Sequence, residues 1–136
     1  MTFAILKTSA GDERMQLEMI ERYIGNSKAS SSTIYYQNGN GSVGMKNVLH
    51  SFAEITEVIG RAKLAGRFLT LSHRGESIGV NTGRIISYSP SREGTEIQQT
   101  TGIFVVDQRT HIIDEHIEPN HPILRVKPPE PGRPAA

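Results

Sequence analysis

The stretch Phe68-Leu69-Thr70-Leu71-Ser72-His73-Arg74-Gly75-Glu76-Ser77-Ile78-Gly79-Val80-Asn81 decides the fold class. An apolar run from Phe68 to Leu71 leads into Arg74-Gly75-Glu76, a turn signal. Beyond it, Ile78 and Val80 alternate with Gly79 and Asn81, the two-residue period of a half-buried strand. Asn81-Thr82-Gly83 reads as the next turn, and Ile85-Ile86-Ser87-Tyr88 is β-branched and aromatic. Pro90 to Gly94 breaks the pattern, Thr95-Glu96-Ile97 resumes it, and Gly102 precedes Ile103-Phe104-Val105-Val106. Short strands with short connections predict a small antiparallel meander.

Immediately upstream, Val48, Phe52, Ile55, Ile59 and Ala62 recur at the spacing of one apolar helical stripe, which predicts a helix over 48–65. Ser51 and Glu54 fit a capping box, although Asn47 offers an earlier start. Glu57 and Arg61 form an i,i+4 pair in the favourable orientation. Arg61, Lys63 and Arg67 suit the negative end of the helix dipole, and Gly66 suits a left-handed stop. The stripe reads as core or interface packing.

Glu13 to Ile24 is ambiguous taken alone. Leu17, Ile20 and Ile24 share a helical face, whereas Met15, Leu17 and Met19 alternate as in a strand. An internal repeat favours the strand. Gly11 matches Gly75 and Tyr23 matches Tyr88 at offsets of 64 and 65, and Thr33 matches Thr95 and Val43 matches Phe104 at 62 and 61. The expectation is therefore a β-rich α+β protein of two similar antiparallel meander units with one amphipathic helix between them. The first unit spans 1–66 and includes the helix; the second spans 67–118. A proline-rich tail covers 119–136, where six of the seven prolines lie and an extended path is favoured. Ile123, Leu124 and Val126 could still dock as a short edge segment before the chain frees itself.

Two family likenesses accompany this pattern. Gly75-Glu76-Ser77-Ile78-Gly79-Val80-Asn81, followed by Ile85, Thr95-Glu96-Ile97, Gly102 and Val105-Val106, resembles the small FlbD-type flagellar accessory proteins over 68–117. Ile20, Tyr23-Ile24, Thr33 to Tyr36, Gly39 and the Leu49–Phe52–Ile55 helix are similar in rhythm to LytTR-type DNA-binding domains over 3–59. The first likeness implies a fold class more than an activity, and the second implies a nucleic-acid-binding regulator. Short meanders of this kind also occur in small phage proteins.

Composition narrows the function classes. Of 136 residues, 36% are hydrophobic and 21% charged, as in an ordinary globular chain. Fifteen basic against fourteen acidic residues leave +1, which provides no general electrostatic funnel for nucleic acid. Zero cysteines exclude disulfides, a thiol nucleophile and a thiolate metal site, and point to the cytoplasm. No apolar stretch has the length of a membrane span.

Few residues carry the pattern of a reaction. Ser27, Ser30, Ser31 and Ser32 read as a loop, and Asn38-Gly39 within the glycine-rich 39–44 run reads as a type I′ hairpin turn rather than a phosphate cradle. His111, Asp114, Glu115, His116 and His121 are dense in potential metal ligands; His111 and Glu115 share a face in either a helix or a strand, but His116 follows neither period, so no metal or cofactor is expected. Tyr35, Tyr88, Arg74 and Arg84 could line a pocket for an anionic nucleotide, with guanidinium for phosphate and ring for base. Lys46, Arg61, Lys63 and Arg67 are the candidate nucleic-acid contacts. The leading expectation is a non-enzymatic adaptor that binds a protein partner through sheet edges, loops and tail. Unprotected strand edges also predict a homo-oligomer, most simply a twofold dimer.

Overall fold

The structure is a computed structural model that describes residues 1–26 and 30–126. Ser27 and the prolines from Pro128 to Pro134 lie outside the described residues. The chain is β-rich, with two helices and several antiparallel sheets. Its elements in order are β1 (Phe3–Thr8), β2 (Gly11–Gln16), β3 (Ile20–Gly25), β4 (Ser32–Gln37), β5 (Val43–Val48) and α1 (Phe52–Arg61). There follow β6 (Phe68–His73), β7 (Glu76–Asn81), β8 (Ser87–Pro90), β9 (Thr95–Gln99), β10 (Gly102–Val106) and α2 (Thr110–Ile117). Single 3-10 turns at Leu17–Met19 and Thr82–Arg84 connect β2 to β3 and β7 to β8, and a third at Ala65–Arg67 precedes β6.

Three sheets result: β1-β2, β10-β9-β8 and the five-stranded β5-β4-β3-β7-β6. The central junction is β3 against β7, antiparallel, with Arg22 opposite Val80, Tyr23 opposite Gly79 and Ile24 opposite Ile78. The sheets also touch end to end. Leu49, just past β5, donates its N–H to the Lys7 carbonyl of β1, and Asp107, just past β10, donates to the Ser72 carbonyl of β6, each at 2.7 Å. Followed through pairs and contacts, the strands form one ribbon, β2-β1-β5-β4-β3-β7-β6-β10-β9-β8, with β2 and β8 at its two ends.

The five-stranded sheet separates two cores. On one face Ile20, Tyr23, Ile34 and Phe68 pack with Ile55 and Ile59 of α1. On the other, Leu71, Ile78 and Val80 pack with Ile97, Val106 and Ile113 of α2. Each fully buried aliphatic side chain contributes about 1.5–3 kcal/mol relative to exposure. Arg22 reaches from β3 to the β9–β10 hairpin. Its guanidinium lies 3.9 Å from the Tyr35 ring centre and 4.4 Å from that of Phe104, and Nη1 donates to Gln99 Oε1 and Thr101 Oγ1. Burial lowers its pKa. The adjacent buried Glu21 accepts from the Thr101 backbone and from both threonine hydroxyls at 100 and 101.

Several local expectations need correction. The capping box at Ser51 and Glu54 is present, but α1 begins at Phe52, because Val48 ends β5 and is itself buried in the first core. The left-handed residue after α1 is Lys63, with φ 60°, and not Gly66. Glu13–Ile24 is neither one helix nor one strand: it is the end of β2, a 3-10 turn and β3. Asn38-Gly39 belongs to a longer turn closed by the Asn38 N–H on the Ser42 carbonyl, with the positive φ at Gly41. Ser32 is not loop but the buried first residue of β4. A single helix was expected, and α2 is a second. It is short and lacks a side-chain cap, so its only sequence signal is the spacing of Ile113 and Ile117. Leu124 and Val126 stay exposed, while Ile123 lines a groove described below.

Candidate functional site: the open edge of β8

Tyr88 sits in β8, and its side chain turns back onto α2, where the phenol donates to Asp114 Oδ1 at 2.6 Å. The same local contact exists elsewhere in the chain. Tyr23 in β3 meets Thr56 of α1 at 2.9 Å, 65 residues before Tyr88 and 58 before Asp114. The surroundings differ. Tyr23 is buried, stacked on Phe52 with ring centres 4.9 Å apart and tilted against Phe68 at 5.8 Å. Its ring lies over Gly79 of β7, so closely that a Cβ there would stand 2.2 Å from Tyr23 Cε1. Tyr88 is only half-buried, and among the described residues β8 pairs with β9 alone.

Strand parity says which way the free backbone groups point. Gln99 and Gly102 close β9 and β10 through a two-residue turn, so Thr95, Ile97 and Gln99 direct their backbone groups to β10. Gln98 and Glu96 therefore bond to β8, as the Ile86 N–H on the Gln98 carbonyl at 2.8 Å shows. Tyr88 stands opposite Ile97, and its own N–H and C=O consequently face away from the sheet. Among the described residues no strand pairs with those groups.

Beside this edge lies a groove of about 690 Å³ between β8, α2 and the segment after α2. Ile85, Ile86 and Ile117 supply apolar walls, Thr110 and Asp114 the polar floor, and His121 to Arg125 one rim. Burial, the Asp114 hydrogen bond and the charges of Asp114 and Glu118 together push the Tyr88 phenol up to about 12. It is thus a neutral donor at physiological pH, suited to binding and not to proton abstraction.

Of the four residues expected to share a nucleotide pocket, only Tyr88 lines this groove. Arg84 lines a neighbouring cleft of about 500 Å³ with Arg67, and Thr82, Gly83 and His121 border both. Its guanidinium donates to Gln37 Oε1 and to the Glu18 carbonyl. Tyr35 stacks on Arg22, and Arg74 occupies the β6–β7 turn with φ 49°, its N–H on Asp107. Lys46 pairs with Glu13, Arg61 ends α1, and Lys63 takes the left-handed position after it. Among the described residues no three potential ligands form a metal-holding group; Asp114 is engaged by Tyr88. The site's main element, α2, carries little signal in the sequence, and the Tyr23–Tyr88 match is the one feature that points to its place. No protein-family model matches this chain, and no curated protein does either.

Proposed function

We propose that the chain is a tandem duplication of one β-unit, 1–66 and 67–118, and that it works as a non-enzymatic binding module that captures a strand of a protein partner along β8. Four pairs of contacts support the duplication. They are the two end-to-end bonds at Leu49 and Asp107, the two tyrosine–helix bonds, and two further sets. In these, the Lys7 N–H binds His50 Nε2 as the Ser72 N–H binds Gln108 Oε1, and the Ser32 hydroxyl binds the His50 carbonyl as that of Thr95 binds the Gln108 carbonyl. The element order from β1 to α1 also recurs from β6 to α2.

One observation carries the function. The tyrosine strand of the first unit, β3, is covered by β7, whereas the equivalent strand β8 has no neighbour on that side among the described residues. Strand addition of this kind draws affinity from main-chain hydrogen bonds and specificity from alternate side chains. The groove would receive the latter.

A synthetic hairpin of residues 67–82, which already fits β3, tests the reading. Labelled and titrated with the full chain carrying Arg14→Glu, a change on β2 at the other end of the ribbon, it should bind saturably by fluorescence anisotropy. The same peptide carrying Gly79→Pro should not bind, since proline removes the N–H that Gly79 directs toward the receiving strand. Equal binding of the two peptides, or of neither, refutes strand capture at β8.

A further inference from the structure

We propose that β8 is met by β2 of a second copy, so that copies join head to tail through a repeat of the junction that β3 and β7 make within one chain; this rests on the reading of β8 just given. The ribbon of strands ends at β2 on one side and β8 on the other. These are the equivalents, 65 residues away, of β7 and β3. The hairpin geometry agrees. Both β1–β2 and β6–β7 turn through two residues, Ser9-Ala10 and Arg74-Gly75. By the same parity, Asp12, Arg14 and Gln16 direct their backbone groups away from β1, as Ser77, Gly79 and Asn81 direct theirs away from β6. Transferring the observed register of 22–24 on 78–80 sets Ser87 opposite Met15, Tyr88 opposite Arg14 and Ser89 opposite Glu13.

One position differs, and it identifies the chemistry of the contact. Where β7 has Gly79 under the Tyr23 ring, β2 has Arg14, which is exposed. Its Cβ obliges Tyr88 to swing aside as the strand arrives, and the groove beside Tyr88 has the room. Arg14 then approaches Asp114, which accepts from the phenol, at the end of α2 that also carries Glu118. Charge complementarity at that point distinguishes the right register from a slipped one. Because the two edges differ, the contact is heterologous: it closes a ring of two or more copies or runs on as a filament.

Light scattering on the full chain at micromolar concentration provides the test. The wild type should have a mass that is a multiple of 15.0 kDa. Arg14→Glu and Glu118→Lys should each fall to the single-chain mass, by repulsion between like charges. Mixing the two variants should restore assembly, because each then offers the other an opposite charge at both junctions. That rescue also shows both variants to be folded. A single-chain mass for the wild type, or assembly indifferent to both substitutions, overturns the head-to-tail contact. If the hairpin peptide still binds in that case, strand capture at β8 stands and only its occupant is wrong; if it does not, both fall.

Discussion

Gly79→Ala probes the junction on which the rest depends. The added methyl would stand 2.2 Å from Tyr23 Cε1, 2.3 Å from Cζ and 2.7 Å from the hydroxyl. The ring has little freedom to move, since Phe52 and Phe68 flank it and its hydroxyl is tied to Thr56. Overpacking of this kind costs about 1–3 kcal/mol, and a clash with two ring atoms and the phenol oxygen belongs near the upper end. Replacing glycine also reduces the entropy of the unfolded chain, which returns roughly 0.4–1 kcal/mol. The net loss should be about 2 kcal/mol, or a drop in Tm of roughly 8 °C for a domain of this size. Urea denaturation of the variant, read by tyrosine fluorescence and circular dichroism, measures it. The same substitution on a Tyr23→Leu background should cost close to nothing, because the ring that it strikes has gone. A loss below about 0.5 kcal/mol, the usual range for surface changes, would show that Tyr23 does not lie on β7. An equal loss on both backgrounds would show that the cost comes from elsewhere.

Other outcomes follow from single contacts. Ile55→Ala and Ile113→Ala each empty a fully packed site beneath a helix, and each should cost about 2–5 kcal/mol in equilibrium unfolding; a near-neutral Ile113→Ala would mean that α2 does not seal the second core. Ser51→Ala removes the hydroxyl that accepts the Glu54 N–H and should cost about 1 kcal/mol, with less at a frayed helix end. The Tyr88 phenol, held at about 12, keeps its proton when an unfolded tyrosine near 10 has lost it. Its contribution is therefore complete below about pH 10 and disappears as pH rises through about 12. Near-ultraviolet titration should show late tyrosinate steps for Tyr88 and for buried Tyr23, of which only the Tyr88 step moves earlier in Asp114→Asn; an unchanged titration would leave burial as the sole cause.

Much of the β architecture was readable because its signals are local. Arg74-Gly75, Pro90–Gly94 and Gly102 punctuate alternating aliphatics, and the strands fall between them. Ser51 and Glu54 show their helix start for the same reason, since both partners of the box lie within one turn. What escaped depends on partners distant in sequence. Val48 continues an apolar helical stripe, yet Ser32 claims it for a strand. Arg22 carries no signal of its own, because Tyr35 and Phe104, which enclose it, lie far along the chain. The α2 helix carries eight residues and no capping side chain, so its stability comes from Ile113 in the second core and from Tyr88 on Asp114. The groove was invisible for a different reason. It lies beside a strand edge that no described strand covers, and the comparison of Tyr23 with Tyr88 in space brings that out.

Amide hydrogen exchange at two residues tests the central claim most directly. In the Arg14→Glu chain the Tyr23 N–H, held between β3 and β7, should exchange slowly, while the Tyr88 N–H, directed to solvent, should exchange fast. Saturation with the 67–82 hairpin should then slow Tyr88 and leave Tyr23 as it was. Strong protection of Tyr88 in the free chain, or no change on saturation, would contradict an open β8 edge that takes a strand.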